Sequence, residues 1–183
     1  MKSRSRLFNG ILVLALLASA AGCKTGEERK RAKEMSTVRV HVESDRGSTD
    51  SSSAISIHRS SPILLNVARE AILDESNVAA ARIVDEPGGL FAVEIQFDRR
   101  GSWVLEHATV SNKGRHLAIF SQFGNQARWL AAPLIHAKNS SGMMRFTPDA
   151  TRVEAERFAR GLNNLARKIE RRENWPFKGP LDK

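Results

Sequence analysis

A period-two pattern between positions 91 and 98, in which every large apolar residue lies on one face, constrains the fold of this chain more than any other feature. One face carries Phe91, Val93, Ile95 and Phe97, and the other carries Ala92, Glu94, Gln96 and Asp98. Because successive side chains of a β-strand point to opposite faces, the pattern predicts a strand with one face on a core. Such a face must be covered by a second layer of structure.

A long amphipathic repeat near the carboxyl end predicts a helix that supplies this layer. Apolar residues recur there at spacings of three and four, namely Ala155, Phe158, Ala159, Leu162, Leu165, Ala166 and Ile169. Thr151 and Glu154 form a capping-box pattern, in which each side chain reaches the other's free backbone N–H. The helix is therefore expected to begin close to Thr151.

Shorter patterns predict the remaining elements. Strands are expected at 38–42, 55–57, 78–84, 116–123, 127–135 and 143–146, and helices at 66–73 and 101–112. This order predicts an α+β fold, a two-layer sandwich in which helices pack on one face of a mainly antiparallel sheet. We place this domain at 37–170 and a polar tail at 171–183.

The first 22 residues have the composition of an export signal. The basic residues Lys2, Arg4 and Arg6 precede an apolar stretch at 7–21, and small residues lead to Cys23. A positive start, a short apolar stretch and a small-residue cut site define a signal peptide. The apolar stretch is shorter than the about 20 residues that a bilayer-spanning helix needs.

Cys23 is the only cysteine, and an unpaired cysteine in an exported protein needs an explanation. The sequence Ala-Ala-Gly-Cys at 20–23 resembles the lipobox of bacterial lipoproteins, which implies cleavage before Cys23 and acylation with chains such as palmitate. Each buried CH₂ adds about 0.8 kcal/mol of membrane affinity, so several acyl chains anchor a protein stably. The alternatives are a cleaved signal followed by an incidental cysteine, or an uncleaved anchor.

The charge of the chain bears on its partners. The formal net charge is +9, and the signal segment carries three of these charges and no acid, which leaves about +6. Export and the scattered basic residues argue against nucleic acid, so anionic lipid headgroups or simple solvation explain the charge better. Residues 23–36 are expected to form a charged tether on the periplasmic or exterior side of a membrane. Lys24 after the cysteine favours the outer membrane.

An ordered set of residues runs through the centre of the chain: Phe97, Asp98, Gly101, Thr109, Asn112, Gly114, Arg115, Pro133, Gly142, Thr151 and Glu154. Their spacing resembles the head subdomain in the first periplasmic domain of SecD, part of the SecDF protein-export machinery. The resemblance extends over about 55–164 and implies the family's fold and its transient contact with exported polypeptide. These are scaffold positions, such as a left-handed turn at Gly114 and an edge-strand proline at Pro133. SecD continues into membrane helices that this chain does not show, so we do not expect a complete translocase.

No catalytic or metal-binding motif accompanies the resemblance. The five histidines, His41, His58, His107, His116 and His136, are not at metal-ligand spacing. The sequence contains no nucleophile elbow, phosphate loop or dinucleotide fingerprint. We therefore expect no enzymatic activity, no cofactor and no metal. The alternative is a small envelope hydrolase that uses one histidine.

Phe123 and Trp129 flank a predicted turn at 124–125 and are the candidate partner-binding residues. An exposed aromatic pair there favours binding of an extended peptide, whereas a buried pair fills the core. The preferred function is a non-enzymatic, lipid-anchored module that contacts exported polypeptide or proteins of the translocase and envelope. It does so through this hairpin or an exposed sheet edge. A purely structural lipoprotein is the further alternative.

Overall fold

The computed structural model describes residues 26–45, 52–58 and 60–173, and over these residues the chain has an α+β fold as predicted. The helices are α1 (Gly26–Lys33), α2 (Arg99–Ser111) and α3 (Arg152–Glu173). The strands are β1 (Ser36–Val42), β2 (Ser52–Ile57), β3 (Ile63–Ala68), β4 (Leu73–Asp74), β5 (Val78–Glu86), β6 (Leu90–Phe97), β7 (Leu117–Phe123), β8 (Gln126–Ala131) and β9 (Met143–Phe146). The signal segment, Cys23 and the residues after Glu173 lie outside the described residues.

The strands form two main sheets and a separate hairpin, and all described pairings are antiparallel. The first sheet has the order β4-β1-β7-β8, and the second has the order β5-β6-β9. Helix α3 packs against both sheets, mainly through β5 and β1. This arrangement confirms the predicted sandwich of helices on a mainly antiparallel sheet.

A single large core lies between α3 and the two sheets. Val40 of β1, Ile95 of β6 and Phe158 of α3 are each at most 1% exposed. The alternation at 91–98 places Val93, Ile95 and Phe97 in this core. The hydrophobic stripe of α3 supplies its inner residues, Ala155, Phe158, Ala159 and Leu162.

Side-chain caps fix the starts of both long helices. Asp98 accepts a hydrogen bond from the Gly101 N–H at 2.6 Å and begins α2. Thr151 and Glu154 form the expected reciprocal pair: the Thr151 N–H donates to Glu154 at 2.8 Å, and the Glu154 N–H donates to Thr151 Oγ1 at 3.3 Å. Each cap satisfies backbone donors that the first helical turn leaves free.

The predicted helix at 66–73 is wrong, because this segment continues a strand and then crosses to the first sheet. Residues 63–68 form β3, in which Leu65 pairs with Ile55 and Val67 pairs with Ser53. Leu73 then pairs with Val40 of β1. The helical interpretation used local spacing, whereas pairing with a distant strand decides the conformation here.

Elements of the structure also end or begin close to the bounds of three predicted segments. The strand expected to reach 135 ends at Ala131, two residues before Pro133, which cannot donate to a ladder. The domain boundary placed at 170 falls inside α3, which continues to Glu173. The predicted tether at 23–36 contains α1, and Ser36 already belongs to β1.

Residues 26–32, which form most of α1, are grouped separately from the domain that begins at Lys33. Helix α1 buries none of its residues, and Glu27 pairs with Arg31 at 3.6 Å, one helical turn away. Such pairs support isolated helices by a few tenths of a kcal/mol. Among the described residues, no helix combines the length and apolarity that crossing a membrane requires.

Candidate functional site

The two faces of the β7–β8 hairpin separate the predicted binding residues. Phe123 is 2% exposed and lies in the main core, with its ring centroid 6.2 Å from that of Phe158. The guanidinium of Arg128 lies 5.4 Å from the centre of the Phe123 ring and closes the core above it. Phe123 and Trp129 therefore do not form one exposed pair, and Phe123 fills the core, as the alternative of a buried pair expected for it.

Trp129 lies on the opposite face of the sheet and is half-buried. Its ring makes edge contacts with His41 and Phe120, each with a centroid distance of 5.3 Å. The β2–β3 hairpin covers this outer face and contributes a second, smaller apolar cluster. A hydrogen bond of 2.8 Å between His41 Nδ1 and the Ala68 carbonyl ties the cluster to that hairpin.

Strand β8 leaves one edge of the first sheet open beside Trp129. Phe123 pairs with Gln126 across the two-residue turn, so this flanking pair exchanges both of its backbone hydrogen bonds. The next residue, Ala127, and then Trp129 belong to pairs whose backbone groups point away from β7. The Leu130 carbonyl beyond them accepts a hydrogen bond from the Asp149 N–H at 2.7 Å, which closes that end. We call residues 126–129 the β8 edge.

The other outer edges of the two main sheets are blocked or short. The side chain of Asn163 bonds both backbone groups of Ala81 on β5. Strand β4 has two residues, and β9 has four. Natural proteins commonly block or shorten edge strands in these ways because a free edge pairs with other chains. The β8 edge therefore differs from the other outer edges of the two main sheets.

An ion pair fastens the β8 edge to the start of α3. Arg128 Nη2 lies 3.1 Å from Glu154 Oε2, and both side chains are largely buried. The Thr151 backbone N–H donates to Glu154 and, with Arg128, lowers the pKa of its carboxyl to about 2 against the opposing effect of burial. The carboxylate thus stays ionised and holds Arg128 over the core, while alternation along β8 places Ala127 and Trp129 on the opposite face of the strand.

The predicted scaffold residues around α2 bond mainly to backbone. Thr109 Oγ1 donates to the Leu105 carbonyl at 2.9 Å and accepts from the Asn139 N–H at 2.9 Å. Asn112 closes the end of α2 by donating to the Ala108 carbonyl at 2.9 Å. These contacts lie on the α2 side of the fold and not at the β8 edge.

The remaining scaffold residues connect loops to strands. Gly114 has φ +85°, and Arg115 pairs with Asp45 at 2.9 Å. The Pro133 carbonyl accepts from the Leu117 N–H at 2.9 Å. The Gly142 carbonyl accepts from the Phe97 N–H at 2.9 Å, and the φ of +68° at Gly142 is one that residues with a side chain rarely adopt.

His41 and His116, whose partners the structure shows, make structural contacts. His116 Nδ1 and the His116 backbone N–H both bond Glu43 Oε2, at 2.7 and 2.9 Å. Burial raises the pKa of Glu43, but these hydrogen bonds outweigh burial and leave it below the ordinary value. Within the described part of the chain, no three His, Cys, Asp or Glu side chains cluster as metal ligands do.

The sequence patterns placed Phe123 and Trp129 on one hairpin but did not separate its two faces. It did not anticipate that His41 and Phe120 surround Trp129, or that the backbone of Ala127 is open. The alternation of side chains along the strands could have predicted part of this. His41 follows the buried Val40 on β1, and Phe120 follows the buried Ile119 on β7, so both must face away from the core.

Comparison with known proteins identifies relatives of this arrangement. The sequence profile of the SecDF P1 head subdomain matches residues 51–166. The structure of SecDF described as a membrane component that enhances protein export superposes with a TM-score of 0.53 at 16% identity, over 79% of this chain and 70% of that one. SecDF in its super-membrane-facing form gives a TM-score of 0.53 at 17% identity, over 77% of this chain and 21% of that one. No curated protein matches the sequence significantly.

Proposed function

The chain belongs to the SecDF P1 head subdomain family, and on that premise we propose that it is a non-enzymatic envelope module that binds polypeptide during protein export. Membership supports a role with the protein-export machinery. The proposed ligand is a segment of exported chain in an extended conformation. The proposed contact surface is the β8 edge, together with the exposed part of Trp129.

The open backbone groups of Ala127 and Trp129 are the observation that carries this proposal. A peptide that adds a strand to a sheet edge is held mainly by main-chain hydrogen bonds, which do not depend on its sequence. This property suits a ligand whose sequence varies from one exported protein to another. The half-buried ring of Trp129 adds an apolar contact for alternate side chains of the bound strand.

We also propose that the module is a lipoprotein anchored through Cys23 on the periplasmic side of a membrane, with the outer membrane favoured. The support is the signal-like segment at 1–22, the lipobox-like sequence and the absence of any other cysteine. Mass spectrometry of the mature amino terminus tests this: a diacylated or triacylated Cys23 is expected. An intact leader on soluble protein would contradict the anchor.

Site-specific photo-crosslinking tests the binding surface. A photoreactive residue at Ala127 is expected to capture unfolded polypeptide when the full chain is present in the envelope. The matched control is Ala80, another exposed alanine on an edge strand, which is expected to capture little. Equal capture at the two positions, or none at Ala127, would argue against the β8 edge and favour a purely structural lipoprotein.

A further inference from the structure

The outward side of α2 has a composition that its solvated position does not explain. Its exposed residues, which we call the α2 outer face, are Arg99, Arg100, Trp103, His107, Val110 and Ser111. Trp103 is 62% exposed and Val110 is 57% exposed. The solvent side of a surface helix is normally polar, so two large apolar side chains here indicate a surface that contacts something else.

The charges on this face have one sign. The Arg99 guanidinium lies over the Trp103 ring, 4.8 Å from its centre. The two carboxylates beside the face are both engaged: Asp98 accepts from the Gly101 N–H at 2.6 Å, and Glu106 pairs with Lys138 at 2.6 Å. The face therefore presents cations around an exposed indole ring.

An apolar groove extends the face toward the first sheet. It has a volume of about 340 Å³ and is lined by the side of α2 and by Val42 and Ile72. Val104 and Ala108 of α2 form part of its floor, next to Trp103. Apolar surface thus continues from the exposed indole ring into the molecule.

From these observations we propose that the α2 outer face lies on an anionic lipid surface. Tryptophan favours the membrane–water interface, and arginines beside it are attracted to anionic headgroups. A second copy of the chain fits less well, because apposing two such faces brings cations against cations.

Proximity favours this contact, and here the inference rests on the proposed anchor. Cys23 and Ser36, the first residue of β1, are separated by 13 residue steps. At about 3.5 Å per residue such a segment spans at most roughly 45 Å. A domain held so close to a bilayer needs only a weak surface affinity to dock, since the tether raises its effective concentration at the membrane.

An environment-sensitive fluorophore on single introduced cysteines tests the proposal in the full lipid-anchored chain. Cys23 is the only native cysteine, and acylation removes its thiol from labelling. The labelled variants are Trp103→Cys and Val110→Cys, and the control is Val153→Cys on α3, which is 75% exposed. The protein is reconstituted into vesicles of phosphatidylcholine with or without phosphatidylglycerol.

We expect a blue shift at positions 103 and 110 in phosphatidylglycerol vesicles and none at 153. The shift should disappear in 1 M salt, where the screening length falls to about 3 Å. Each cation near an anionic surface changes partitioning roughly fivefold, so Arg99→Ala with Arg100→Ala should lower the docking equilibrium constant roughly 25-fold.

Three results would overturn the proposal: no difference between position 103 and position 153, an equal shift in pure phosphatidylcholine, or a shift that requires added protein. The last result would assign the face to a protein partner. A failure of the proposed lipid anchor is detected separately. If Cys23 is not acylated, its free thiol is labelled as well, and the protein then carries two labels per chain. The control variant carries the same extra label, so the comparison between positions still decides the α2 outer face.

Discussion

The side-chain amide of Asn163 occupies both backbone hydrogen-bonding groups of Ala81, accepting from its N–H at 2.8 Å and donating to its carbonyl at 2.7 Å. A residue of α3 thereby takes the place of a neighbouring strand on β5. The same helix begins at the ion pair that fastens the β8 edge. Helix α3 therefore closes the β5 edge at Ala81, whereas it holds the β8 edge in place and leaves its outward backbone groups open.

Replacing Asn163 with alanine should destabilise the domain. Both backbone groups of Ala81 lose their partner, and an unsatisfied buried polar group costs about 1–3 kcal/mol. Urea unfolding measures this loss, and size-exclusion chromatography reports self-association through the newly opened β5 edge. Lys168→Ala, an exposed position on the same helix, is the control and should change stability little. If Asn163→Ala were as stable as the wild type, the hydrogen bonds of the Asn163 amide would make no net contribution to the free energy of unfolding.

Gly161→Ala should destabilise the domain although alanine is the better helix former. A Cβ at position 161 would lie 2.7 Å from the Ser36 backbone nitrogen, so α3 must move away from β1. Overpacking of this kind costs about 1–3 kcal/mol, against about 1 kcal/mol gained in helix propensity. Gly26→Ala in α1 is the matched control, because nothing lies within 4 Å of its Cβ. An unchanged unfolding midpoint in Gly161→Ala would contradict this close packing.

Glu154 should make the domain sensitive to acid. Its pKa is about 2 in the folded chain and 4.5 in an unperturbed glutamate. A lowered pKa stabilises the folded state above the unfolded value and loses that contribution as the pH falls from about 4.5 toward 2. The contribution is on the order of 2 kcal/mol, since the side chain is partly solvated.

Denaturant unfolding at a series of pH values measures this effect. Glu154→Gln should be less stable at neutral pH and should flatten the decline between pH 4.5 and 2. Glu156→Gln, which changes a more exposed carboxylate on the same helix, should leave the decline in place. If both variants keep the wild-type profile, the acid sensitivity comes from other groups.

The elements that sequence patterns predicted are those whose core contacts follow a local period. Phe97 and Leu162 are buried because each continues a repeat that can be seen within its own element. Residues 63–68 do not follow such a local period, because the strand conformation of Leu65 depends on its pairing with Ile55, ten residues earlier. Such pairing leaves no local period that distinguishes a strand from a short helix.

The separation of Phe123 from Trp129 was in principle predictable. Phe123 pairs with Gln126 across the turn, and Trp129 is three residues beyond Gln126. An odd number of residues along a strand reverses the face, so the two aromatic side chains could not share one. The partners of Trp129 were not predictable, since His41 reaches it from a strand almost ninety residues away.

Ala127→Pro should weaken polypeptide binding with little loss of stability. The Ala127 N–H points away from β7, so proline removes a donor only from the open edge, where proline is tolerated. Fluorescence anisotropy with a labelled, unfolded polypeptide should show at least roughly tenfold weaker binding, since strand addition depends on such donors.

Ala127→Thr keeps the N–H and should bind normally. Arg128→Pro removes a donor within the β7–β8 ladder in addition to the ion pair with Glu154, so it should destabilise the hairpin more than Arg128→Ala does, which would verify the register. Normal binding by a folded Ala127→Pro variant would exclude strand addition at the β8 edge and leave the Trp129 side chain as the remaining candidate contact.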